Sequence, residues 1–225
     1  MNREHKKTWA AIAGAALVAA VALITRPDLL EIPDALEADS SSPVSSGMSS
    51  SRAHQQLDEL SVEPERDMAG YDRALFPHWD TEPKGNCTTR QVVLERDGQG
   101  VQTDGTCQPT SGTWESLYDD RVLKDAGEVD VDHLVALGEA WRSGADTWTT
   151  QERQDFANDL DSPQLWAVSA SSNRSKGDAD PAEWMPPARA VHCRYVAAWV
   201  QVKHTWSLSV DQAEERALRE VLDGC

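Results

Sequence analysis

"VDVDHLVALGEAW", residues 129–141, is the stretch on which the fold turns. Its first half alternates valine with aspartate, the pattern of a strand with one face buried. Its second half sets Leu134, Leu137 and Trp141 along one side of a helix, and Gly144 is the expected C-terminal stop. Asp132 and His133 stand at the junction. A carboxylate is a hard-oxygen ligand for magnesium, calcium or manganese. A histidine near its ordinary pKa is mostly neutral at pH 7 and accepts a proton from water. Neighbours on a regular strand point to opposite faces, and a bend or bulge at the strand end can bring both to one site.

Downstream, "PQLWAVSAS" reads as a buried strand from Gln164 to about Ser169. "SASSNRSKGDADPAEW", residues 169–184, follows it. Asn173 offers a neutral amide oxygen to complete a metal site. Arg174 and Lys176 bring positive charge where a phosphate would sit, and Gly177 permits a turn. By composition alone the same segment is an ordinary exposed turn. "TTQERQDFANDL" opens with Thr149 and Glu152 at capping-box spacing, predicting a helix to about Leu160. Val191, Tyr195, Trp199, Val202 and Trp206 form one helical stripe, and "SVDQAEERALREVLDG" predicts a last helix capped by Ser209 with Gln212. Upstream, β-rich runs alternate with Gly-containing turns, and Arg90–Glu95 reads as one of several short strands. The fold class is α+β.

The chain has 225 residues and a formal net charge of -17, with 21 Lys plus Arg against 38 Asp plus Glu. That balance excludes tight electrostatic binding of nucleic acid, which needs a basic surface. Brief contact through a bound cation and a few local basic groups remains open. Nine tryptophans against two phenylalanines point to indoles filling the core. Arg3, Lys6 and Lys7 precede an uncharged stretch from Thr8 to Thr25, so residues 1–26 read as a signal peptide or a membrane anchor. This segment would engage the export machinery or the membrane. The protein would then be secreted, or held on the outer face of the cytoplasmic membrane. Residues 27–65, which include "SSSPVSSGMSSS", read as a disordered linker. The domain is then 66–225. Four cysteines in an exported chain suggest two disulfides. Of three connectivities, proximity favours Cys87–Cys107 and Cys193–Cys225. Zinc ligation has no C-x-x-C spacing to support it.

The two segments "DVDHLVAL" and "NRSKGDADPAEW", each after a β run, resemble the HNH nucleases. Together with "YDRALFPHW" and "SGTWESLYDD" they look like a family of exported bacterial HNH endonuclease proteins, over about residues 70–225. The resemblance implies a ββα-metal core and a divalent cation, Mg2+ first, with Mn2+, Ca2+ or Zn2+ as alternatives. It implies no organic cofactor. It also implies hydrolysis of DNA, or of RNA, through transient contact and with low sequence specificity. In that family's terms His133 is the general base, Asp132 ligates the metal, and Asn173 coordinates or orients the site. Lys176 and Arg174 would contact phosphate, with Arg90 as a further candidate. Asp130 and Glu139 are additional carboxylates near the motif. Ala136 stands where many members have proline, and the final histidine of the motif's name is missing. The rival reading is a non-catalytic cell-surface binding or scaffold protein on a degenerate nuclease fold.

Overall fold

The strands expected at 129–133 and 164–169 pair with each other, and a helix follows the second at once. The computed structural model describes residues 48–79 and 86–225. In chain order the helices are α1 (Ser50–Glu59), α2 (Thr89–Asp97), α3 (Leu137–Arg142), α4 (Thr150–Ala157), α5 (Ala170–Lys176), α6 (His192–Thr205) and α7 (Gln212–Asp223). The strands are β1 (Gly98–Thr103), β2 (Pro109–Ser116), β3 (Arg121–Leu123), β4 (Val129–His133) and β5 (Leu165–Ser169). β1, β2 and β3 form an antiparallel sheet in that order, and β4 and β5 form a separate antiparallel pair. The α+β class holds, and β4-β5-α5 is a strand-strand-helix unit.

Two expectations are corrected. Arg90–Glu95 is not a strand but the body of α2. Thr88 accepts from the Gln91 backbone N–H while Gln91 Oε1 accepts from Thr88 N at 2.7 Å, a closed capping box that outweighs the β preference of two valines. Nearly half of the expected linker, residues 48–65, is also ordered. Ser49 caps α1, and Ala53 and Leu57, one turn apart, are buried against α6 and α7. Val62 then forms a parallel bridge with Val210. So few apolar side chains mark α1 that only its partners make it a helix. The expected targeting segment, 1–26, and the expected linker up to residue 47 lie outside the described residues. Among the described residues no helix is long and apolar enough to cross a membrane.

The larger core gathers around α6. Tyr195 and Trp199 are fully buried with Phe76, Leu137, Phe156 and Leu218. A second core joins Val93, Leu94 and Trp114 to Val129, Val131, Leu165 and Ala167 of the β4-β5 pair. All eight tryptophans among the described residues are buried or partly buried, in line with the composition. Both expected disulfides are present, Cys87–Cys107 and Cys193–Cys225, and the second ties the start of α6 to the chain end after α7. α7 is capped by Asp211, which accepts from Ala213 N and Glu214 N, rather than by Ser209.

A buried ionic cluster locks α3 to α6 and α7. Lys203 Nζ donates to Glu139 at 2.7 Å, Glu214 at 2.6 Å, Ser143 Oγ at 2.9 Å and the Ser209 carbonyl at 2.9 Å. Every ammonium proton has an acceptor, the condition under which a buried charge is tolerated. Burial drives the Glu214 carboxyl up to about 7, against the pull of Lys203. The cluster absorbs Glu139, which is therefore not a ligand at the end of β4.

Candidate active site

β4 and β5 pair in unbroken register, from Val129 opposite Ser169 to His133 opposite Leu165. No bulge interrupts the pair at Asp132-His133, and the chain bends only after the strand, at Leu134-Val135. Strand alternation therefore applies to the last residue. Asp130 and Asp132 face α5, whose Asn173 and Lys176 they meet. His133 turns to the other face, with Val129 and Val131, beneath Trp79 and α4.

His133 is 3% exposed. Its Nε2 lies 2.9 Å from the Ala157 carbonyl. A carbonyl only accepts, so Nε2 carries the proton and Nδ1 is left with a lone pair. The ring stacks on Trp79, with centroids 5.3 Å apart and planes 25° from parallel. His78 meets it edge-on at 6.1 Å. Burial pushes the imidazole pKa down to about 3, the Ala157 bond opposes this, and the Arg73 cation adds to it. The ring is neutral at pH 7, held in one tautomer and one plane.

Asp132 is also buried, and its charge is already met. Lys176 Nζ lies 2.9 Å from Oδ2 and 3.1 Å from Oδ1, and Tyr118 donates its hydroxyl to Oδ2 at 2.5 Å. Lys176 also donates to the His133 carbonyl at 2.9 Å, fastening α5 to the end of β4. Burial raises the Asp132 carboxyl above the ordinary range, while Lys176 and Tyr118 pull it back. Asn173 Nδ2 donates to Asp130 Oδ2 at 3.1 Å, which leaves its amide oxygen as an acceptor.

Asp132, His133 and Asn173 line one cavity of about 230 Å³, together with Arg73, Gly177 and Asp178. Gly177 ends α5 at φ 57°, a left-handed turn that suits glycine. Gly138 has the Asp178 carboxylate packed where a side chain would stand, a Cβ there meeting it at 2.7 Å. Thus the three residues singled out by sequence, forty positions apart, border one space. The three expected phosphate contacts do not. Lys176 is fully buried on Asp132. Arg90 lies on α2 and donates to the Val129 carbonyl at 3.1 Å. Arg174 is exposed on α5 outside the cavity. Tyr118, Trp79, Arg73 and Asp178 were missed. The first three stand in the quoted segments "SGTWESLYDD" and "YDRALFPHW" and Asp178 in "NRSKGDADPAEW", but nothing in the spacing said which residues turn inward.

The donors at the cavity suit a hard cation. They are carboxylate and amide oxygens and no thiolate, a set that leaves most of a magnesium shell to water and phosphate. Asp132 would share its charge between such a cation and Lys176. Asp132, Asn173 and Asp178 are the oxygen-bearing side chains that would hold it, and a bound cation would stabilise negative charge developing on phosphate oxygens. Among the described residues the acidic trio whose ligand atoms lie within 4.8 Å of one another is elsewhere: Glu65, Asp180 and Asp211, none of which lines the cavity.

The strand-strand-helix unit β4-β5-α5 thus carries His133 and Asn173 to the lining of one cavity. Residues 93–221 match the model of the GmrSD restriction endonucleases, C-terminal domain, and the chain belongs to that family. It is also similar to a protein of Arthroderma benhamiae named "Uncharacterized secreted protein". The two are 48% identical over 177 residues, which cover 79% of this chain and 86% of the relative. The relative is fungal, so the likeness is not confined to bacteria as the sequence reading had it. No solved structure matches.

Proposed function

We propose that the chain is an exported, divalent-cation-dependent nuclease of HNH type. It hydrolyses phosphodiester bonds of DNA, or of RNA, with low sequence specificity. The observation that carries this reading is the His133 imidazole, pinned by Ala157 and Trp79 and bordering the same cavity as Asn173. His133 Nδ1 takes a proton from the attacking water as that water adds to phosphorus in line with the leaving oxygen. The Ala157 carbonyl, facing Nε2–H, supports the imidazolium that results. An entering phosphodiester brings negative charge toward the ring and raises its hold on the proton, against the burial that depresses it. Asn173 orients the phosphate-side ligands from α5, and Lys176 with Tyr118 holds Asp132 still.

Loose specificity follows from what the described residues offer: no separate base-reading module and no basic recognition helix. Export is supported by the two disulfides, by the apolar N-terminal stretch, and by the name of the fungal relative. A second reading, a non-catalytic scaffold, is favoured by one observation, the Lys176 ammonium already neutralising Asp132. Incubating the purified protein with plasmid, in Mg2+ or Mn2+ and then in EDTA, separates the two. Chelator-sensitive nicking supports the nuclease. Absence of cleavage with every metal, by folded protein, sinks it.

A further inference from the structure

Residues 71–79 form a strap pinned at several points beside the cavity. Phe76 is fully buried, between Trp141 and Phe156. Arg153 Nε donates to the Leu75 carbonyl at 3.1 Å, and Asn158 Nδ2 to the Pro77 carbonyl at 2.9 Å. His78 Nδ1 donates to the Phe76 carbonyl at 2.8 Å. Asp72 caps the short turn Arg73–Leu75 through Ala74 N at 2.8 Å. One end of the strap lays Trp79 on the His133 ring, with Trp79 held at φ 63°, a conformation that non-glycine residues rarely adopt. The other end presents Arg73 to the cavity.

Arg73 differs from four other arginines of the chain. Arg66, Arg96, Arg142 and Arg219 each pair with a carboxylate within 3.1 Å. Arg73 is exposed and has no ion pair or side-chain hydrogen bond among the described residues. In a chain with 38 acids it is a guanidinium left unspent at the cavity that His133 and Asn173 line. Asp178 lines the same cavity, but its carboxylate packs on Gly138. The three cations expected from sequence to meet phosphate are buried or placed elsewhere, so the cavity would otherwise have no cationic side chain for the substrate.

The geometry points to Arg73 as the substrate-phosphate clamp, its fork donating to the non-bridging oxygens of the phosphodiester whose attack His133 assists. This rests on the nuclease reading above. A planar guanidinium suits the task because it gives two parallel charge-assisted hydrogen bonds to one phosphate. The strap then serves both partners of the reaction, orienting the base at Trp79 and the phosphate at Arg73.

The test uses the full chain with Arg73→Ala, Arg73→Gln and Arg73→Lys, a labelled single-stranded oligonucleotide, and Mg2+. Arg73→Ala and Arg73→Gln are expected to raise KM roughly ten- to hundredfold, with kcat changed far less. The slope of log KM against log salt should become shallower by about 0.7, the loss of one phosphate contact. Arg73→Lys restores the slope, because the charge is back, but only part of the KM, because the fork is not. Anisotropy of the same oligonucleotide in EDTA should weaken in parallel, without any chemistry. A purely structural role for Arg73 would leave the salt slope unmoved. Arg73→Ala with the KM and salt slope of a cleaving wild type overturns the clamp and leaves the nuclease standing. A folded wild type that neither binds nor cleaves overturns both.

Discussion

Lys176 Nζ lies 2.9 Å from Asp132 Oδ2, with the ammonium side chain fully buried and the carboxylate nearly so. Such a pair contributes little net stability, because the cost of drying both charges offsets their attraction. Removing one partner is another matter, since the remaining charge is stranded.

Lys176→Ala should therefore destabilise the fold by about 3–5 kcal/mol. Urea denaturation of the variant beside the wild type reads this directly. Asp132→Asn with Lys176→Met, which removes both charges, should recover much of the loss. A single Lys176→Ala as stable as wild type would show that water reaches the pair.

His133→Ala should lower cleavage by about 10²–10⁴ while far-ultraviolet circular dichroism stays that of the wild type. His133→Asn is the companion variant, because its amide can still reach toward Ala157. Retained nicking in both would remove His133 from the mechanism.

Stability should depend on pH through His133. Its folded pKa is pushed down to about 3 from an ordinary value of 6.5. Between those limits the unfolded chain binds the proton and the native state does not. The contribution is complete above about pH 6.5 and is lost as pH falls toward 3, by an order of a few kcal/mol. Glu214 works the other way. Its carboxyl rises from 4.5 to about 7, so its contribution is present below 4.5 and is lost as pH climbs through 7. Unfolding free energy measured from pH 4 to 8 should flatten on the acid side in His133→Asn and on the neutral side in Glu214→Gln.

Divalent cation should stabilise the native protein by mass action, about 2.7 kcal/mol at a hundred times its Kd. Thermal melts in Mn2+ or Mg2+ against EDTA measure this without substrate. Asn173→Ala should shrink the shift. An equal shift in that variant would move the ion away from Asn173, and the acidic trio Glu65, Asp180 and Asp211 would be the place to look.

Cys193–Cys225 closes a loop with a sequence separation of 32 and ties the chain end to α6. Cys193→Ser with Cys225→Ser should cost about 2–4 kcal/mol, and the loss should appear first as exchange of α7 amides.

Much of the fold was legible because its signals are local. Alternation at 129–133 requires only that one face be apolar, and the strand is there. Thr149 and Glu152 cap α4 through their own hydrogen bonds, at 2.7 Å from Thr149 N to Glu152. The α6 stripe declares its buried face. α2 was misread because a capping box and a β-branched pair gave opposite local advice, and burial of Val93 and Leu94 suits either element. α1 was misread because its apolar content is too small to show until α6 and α7 are present.

For the site, the resemblance of "DVDHLVAL" and "NRSKGDADPAEW" to the HNH nucleases marked Asp132, His133 and Asn173 as the residues to follow, and proximity in sequence paired the cysteines. Tertiary structure alone decided what each side chain does. Register without a bulge sent Asp132 and His133 to opposite faces. The return of α5 across β4 brought Lys176 onto Asp132 and Asn173 onto Asp130. The strap from residue 71 placed Trp79 on the imidazole and Arg73 at the cavity. The reason is physical. A charged side chain announces its chemistry in the sequence, but whether that charge is spent on a neighbour or left for a substrate depends on which distant segment packs against it.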